Sequence, residues 1–129
     1  MKLVIPGRLP GLNELLKAPK GNRFRANQIK REAEQRIAWC IRQQLRGVEI
    51  TDRVILHYTW HEPNRRRDLD NIASAHKYVQ DALVKAGVLQ GDGWRHVAGF
   101  SDSFEVDKRN PRIEVKLEEV RSWHENPEI

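Results

Sequence analysis

Between Arg53 and His61 the side chains alternate. Val54, Leu56, Tyr58 and Trp60 fall on one side of an extended chain, and Ile55, His57, Thr59 and His61 on the other. A strand has a side-chain period of two, so this stretch predicts a strand whose bulkier apolar face meets a core. Its β-branched and aromatic residues suit a pleated surface. Pro63 and Asn64 end it. A sheet with one buried face needs a second layer, and the rest of the chain supplies helices to make it.

From about Ala26 to Arg46, apolar residues recur at Ile29, Ala33, Ile37, Ile41 and Leu45. A spacing of four keeps them near one helix face, with Trp39 and Cys40 expected to widen the stripe into the core. Gly47 is the expected stop. A second helical pattern runs from Asn71 to Ala86 through Ile72, Ala75, Val79 and Leu83, and Gly87 follows it. Lys2–Ile5 reads as a first strand, and Leu12 to Phe24 as a basic loop broken by Pro19, Gly21 and Asn22. His96–Val106 and Arg112–Val120 read as two further strands, joined as a hairpin through residues 107–111. The expected fold is α+β: a mixed four-stranded sheet with two helices on one face, in the order β-α-β-α-β-β. Residues 1–120 form the expected single domain, and 121–129 a short polar tail.

No run of residues approaches the roughly 18–20 apolar positions of a membrane span. The apolar opening, Leu3-Val4-Ile5, is too short for a signal peptide. Cys40 is the one cysteine, so no intrachain disulfide is possible, and a zinc site would need oxygen or imidazole for its other ligands. A cytoplasmic protein is expected. Charge is divided unevenly. Residues 1–46 hold 11 Lys/Arg against Glu14, Glu32 and Glu34, a net +8; residues 47–129 hold 12 against 15, a net −3. The window from Lys17 to Arg31 contains Lys20, Arg23 and Arg25 and no acid. A one-signed field of this kind concentrates a polyanion, although it can also serve only as a solvated surface.

The segment Arg65-Arg66-Arg67-Asp68-Leu69-Asp70-Asn71 stands at the junction of strand and helix. On an extended chain Asp68 and Asp70 share a side, with Leu69 turned toward the core. Asp70 or Asn71 can cap the following helix, which accounts for one acid but not both. Lys77 lies seven residues after Asp70, about two turns on, off the apolar stripe. Asp81, four residues further, is its ordinary helical partner. Asp92 sits in a turn between Gly91 and Gly93. Three carboxylates and a lysine are a set suited to phosphodiester chemistry. Hard divalent cations take carboxylate oxygens together with substrate phosphate oxygens, and a lysine steadies developing charge.

The run Arg-Arg-Arg-Asp-Leu-Asp-Asn, the helix end Asp81-Ala82-Leu83-Val84-Lys85-Ala86-Gly87, Asp92, and the opening Ile5-Pro6-Gly7 with Leu12-Asn13 resemble the RusA-like Holliday junction resolvases. The resemblance covers most of residues 1–118 and is most specific over 65–92. It implies a small homodimeric endonuclease, often prophage-encoded, that uses Mg²⁺ (or Mn²⁺) to nick four-way DNA junctions symmetrically in recombination and repair. It further implies that Asp68, Asp70 and Asp92 bind metal and that Lys77 is catalytic. The interval from Asp70 to Lys77 is three residues longer than in the best-studied members. Lys20, Arg23, Arg25, Arg65, Arg66 and Arg67 are the expected DNA-binding residues.

Other motifs are weaker. His57 and His61 share a strand face but have no evident third ligand. P-loop and Rossmann glycine patterns are missing. Two alternatives stay open at this level: a non-catalytic binder of branched or single-stranded nucleic acid, and an Mg²⁺-dependent nuclease without junction preference.

Overall fold

The computed structural model describes residues 1–16 and 23–120. Its elements are β1 (Lys2–Pro6), α1 (Leu12–Leu16), α2 (Arg23–Gln44), β2 (Arg53–Glu62), α3 (Leu69–Ala73), α4 (His76–Lys85), β3 (Val97–Val106) and β4 (Arg112–Val120). The strands form one mixed sheet in the order β1-β4-β2-β3. The α+β class, the four strands and the helical layer agree with expectation.

The alternation in β2 does what its period requires. Val54, Leu56, Tyr58 and Trp60 are all buried, and the face carrying His57 and His61 is half-exposed. Leu3 and Ile5 of β1 and Ile113, Val115 and Leu117 of β4 continue the buried face. Against it pack Ala33, Ile37 and Ile41 of α2 and Val79, Ala82 and Leu83 of α4. Gly47 and Gly87 have φ of 75° and 80°, the left-handed conformation that glycine adopts without a Cβ clash as a helix ends.

Four expectations are corrected. β3 and β4 are not a hairpin: β4 pairs antiparallel with both β1 and β2, and β3 pairs parallel with the far side of β2. Residues 107–111 therefore step over the end of β2, a gap of about 10 Å that five residues span easily. Asp107 organises the step by accepting the backbone N–H groups of Arg109 and Asn110 and pairing with Arg112 at 2.8 Å. Trp39 is 57% exposed. It lies about 200° around the helix from Ile37 and from Ile41, on the face opposite the stripe. Within the expected basic loop, Leu12–Leu16 is helical, and α2 begins at Arg23 rather than near Ala26.

The fourth correction bears on function. The expected helix from Asn71 to Ala86 is broken at Ser74-Ala75 into α3 and α4. There Ala75 N–H bonds the Ile72 carbonyl at 3.3 Å, three residues back, which tightens the turn. The Ser74 hydroxyl donates to the Asn71 carbonyl at 2.6 Å, and accepts the Leu12 N–H at 2.9 Å. A serine engaged in this way draws the backbone out of a regular helix.

Candidate active site

The chain leaves β2 at Glu62 and enters α3 at Leu69. Asp68 holds the N-cap position with extended backbone (φ −67°, ψ 149°), but its carboxylate makes no capping bond. Asp70 lies in the first turn, and its Oδ1 accepts the Asn71 N–H at 2.9 Å. Both aspartates are exposed. They flank the first residue of a helix rather than lying on one extended strand, and Leu69 between them is 56% exposed and does not reach the core.

Lys77 is in the first turn of α4. Its ammonium lies 3.2 Å from Asp81 and 3.7 Å from Asp92 in the turn before β3. The hydrogen bond and charge of Asp81, then the charge of Asp92, raise its pKa above the usual lysine value, so it is a cation at neutral pH. The ordinary helical partner and the turn aspartate are thus both present. With the helix broken at Ser74, the two-turn count from Asp70 no longer fixes the direction of Lys77; α4 does.

A hard divalent cation takes oxygen ligands and retains several waters. Asp68, Asp70 and Asp92 offer that donor type from exposed positions, and the chemistry fits Mg²⁺ or Mn²⁺. Among the described residues, no group of three or more His, Cys, Asp or Glu side chains stands together to hold a metal ion. The structure brings Lys77 to Asp92 and does not gather the three aspartates into one cluster. His57 and His61 pair with separate carboxylates, Glu118 at 2.7 Å and Glu114 at 2.9 Å.

The basic residues divide into two kinds. Arg65 and Arg66 are exposed, as are Arg23 and Arg25 on the first turn of α2. Lys20 lies outside the described residues. Arg67 is turned inward. Its guanidinium pairs with Glu14 at 2.7 Å and donates to the Leu9 carbonyl at 3.1 Å and to Glu62 at 3.5 Å, and its side chain is only 13% exposed. The charge of Arg67 is thus engaged inside the protein, whereas Arg65 and Arg66 point their charge to solvent.

Sequence reading missed the partners of Arg67. Glu62, on the buried face at the end of β2, also takes Arg8 at 3.0 Å. Burial alone would raise the pKa of Glu14. Hydrogen bonds from Asn71 and Gly11 and the charge of Arg67 outweigh it and hold Glu14 below the usual glutamate value. One signal was available: Glu14 is the first acid in a segment of net +8. Beside this network lies a cleft of about 570 Å³ whose walls include Arg8, Asn13, Arg66 and Asp68.

A curated relative, the crossover junction endodeoxyribonuclease RusA of Aquifex aeolicus (strain VF5), is 32% identical over 85 residues. The match takes in 65% of this chain and 64% of the relative's length. The sequence model of the family described as endodeoxyribonuclease RusA matches residues 9–118, from the segment that docks on α3 through all but the last residues of β4. The chain belongs to the RusA endodeoxyribonuclease family.

Proposed function

We propose that this protein is a metal-dependent endonuclease that resolves four-way DNA junctions by paired, symmetric phosphodiester hydrolysis. The observation that carries this reading is the approach of Lys77 to Asp92 at 3.7 Å in a member of the RusA family. Asp68, Asp70 and Asp92 would hold Mg²⁺ or Mn²⁺. When bound, such an ion stabilises charge on a phosphodiester in transit and activates water. The chain's own residues do the rest. Arg65, Arg66, Arg23 and Arg25, with Lys20, hold the phosphate backbone by charge. Lys77, kept protonated by Asp81 and Asp92, offers a cation where negative charge grows during cleavage. A four-way junction has near two-fold symmetry, so matched nicks call for two sites related by a two-fold axis, and a homodimer is part of the proposal.

The deciding experiment is incubation with an end-labelled synthetic four-way junction and a linear duplex of the same sequence, with and without Mg²⁺. Paired nicks in the junction alone, and only with metal, are expected. Complex formation without cleavage at any Mg²⁺ or Mn²⁺ level would instead favour the non-catalytic binder. Equal cutting of both substrates would favour a nuclease without junction preference.

Lys77→Ala separates chemistry from grip. Because the lysine acts on charge that develops only during reaction, cleavage should fall about a hundredfold or more while junction affinity changes about twofold or less. Single-turnover cleavage and gel shift measured on the same preparation check this. Equal losses in both would reduce Lys77 to a backbone contact.

A further inference from the structure

We propose that Glu14 and Asn71 are positioning residues that set the orientation of Asp68 and Asp70. The inference rests on the reading of those aspartates as the metal-holding pair, and its foundation is a circuit of hydrogen bonds and one ion pair. Asn71 is only 7% exposed, and both ends of its carboxamide are used. Its Oδ1 accepts the Asn13 N–H at 2.9 Å, and its Nδ2 donates to Glu14 Oε2 at 2.8 Å. The other oxygen of Glu14 accepts the Gly11 N–H at 3.2 Å and forms an ion pair with the Arg67 guanidinium at 2.7 Å. Arg67 is the residue before Asp68, and Asn71 is the residue after Asp70. The circuit therefore grips the two aspartates from both sides.

The fit is close. A Cβ at Gly11 would come within 2.3 Å of both the backbone oxygen and Oδ1 of Asn71, so only glycine lets this loop lie on α3. Ser74 adds a further tie through its bond to the Leu12 N–H. The Asn71 N–H in turn holds Asp70 Oδ1, leaving the second oxygen of Asp70 without a hydrogen bond among the described residues. Groups that orient ligand side chains from behind are worth about 10- to 100-fold in metal affinity or activity.

The circuit's polarity supplies the test. Glu14 offers two acceptors, and Asn71 presents one donor and one acceptor. Glu14→Gln sets an amide N–H against the Asn71 N–H group. Asn71→Asp sets a carboxylate against Glu14. The double variant restores the circuit with one bond reversed. The amide introduced at position 14 donates to the carboxylate introduced at position 71, which still accepts the Asn13 N–H, and the net charge is unchanged. The two single changes alter local charge in opposite senses. If charge alone mattered, metal affinity would move in opposite directions.

The measurements are Mn²⁺ titration by electron paramagnetic resonance without DNA, junction cleavage, and junction binding. Each single variant should weaken Mn²⁺ binding and slow cleavage by about tenfold or more, with junction binding within about twofold. The double variant should recover to within about threefold of wild type. Opposite Mn²⁺ shifts in the two singles, wild-type behaviour in both, or a folded double variant that stays impaired would each overturn the proposal. Should the singles fail to fold, the double variant alone decides, by recovery or by failure. If the wild-type chain cuts no junction, the nuclease reading fails while the Mn²⁺ titration still judges the circuit. A wild-type chain that neither cuts nor binds Mn²⁺ overturns both.

Discussion

Asp70→Asn is expected to reduce junction cleavage by about a thousandfold or more, equivalent to about 4 kcal/mol of lost transition-state stabilisation. Junction binding is expected to hold or tighten. The substitution keeps the side chain's size and an oxygen to accept the Asn71 N–H, so the first turn of α3 retains that bond. What it removes is one negative charge. At the helix start that charge contributes about 0.3–1 kcal/mol through the dipole. Set against this is the repulsion of Asp68 two residues away, which the substitution relieves. The two effects are of similar size at exposed positions, so thermal melts in EDTA should agree to within about 1 kcal/mol. A phosphate backbone approaching the site meets one like charge fewer, and this gives the direction of the affinity change. Cleavage at wild-type rates with a lowered melting temperature would place Asp70 among structural caps and end its reading as a metal ligand.

The parts of this fold legible in the sequence are those set by periodicity. The face of β2 that buries Val54 through Trp60, the α2 stripe through Ile37 and Ile41, and the stops at Gly47 and Gly87 all follow from local spacing. The position of β3 did not, because pairing depends on which strand edge is free once the helices dock. Short connections bias toward hairpins, and here β2 already occupies the place between β3 and β4. The break at Ser74 was hidden for a related reason. Ile72, Ala75, Val79 and Leu83 keep helical spacing across it, and one of the two bonds that engage Ser74 there comes from Leu12, 62 residues earlier in the chain. At the site, residue types and spacing singled out Asp68, Asp70, Lys77 and Asp92, and the fold brings Lys77 to Asp92. They could not divide Arg65, Arg66 and Arg67, which are chemically alike. Only the positions of Glu14 and Glu62, fixed by the tertiary fold, do that.

That division makes the second large prediction. Arg67→Ala is expected to destabilise the protein by about 3 kcal/mol, and Arg66→Ala by no more than about 0.5 kcal/mol. Removing Arg67 leaves the Glu62 carboxylate, whose side chain is 8% exposed, with Arg8 as its remaining ion-pair partner among the described residues, and takes from Glu14 its contact at 2.7 Å. A buried carboxylate that loses one of its two cations bears more of its desolvation uncompensated, and the cost adds to the loss at Glu14. For a domain of this size the melting temperature should fall by roughly 10 °C. Arg66 is exposed and makes no ion pair among the described residues, so the fold has little to lose. On DNA the ranking reverses. Arg66→Ala should flatten the plot of log affinity against log salt by about one unit, the loss of one phosphate contact. Arg67→Ala, measured well below its melting temperature, should leave that slope unchanged. An Arg67→Ala protein that melts normally and has a flattened salt slope would put its guanidinium on the DNA backbone and remove the buried circuit from the account of how Asp68 is held.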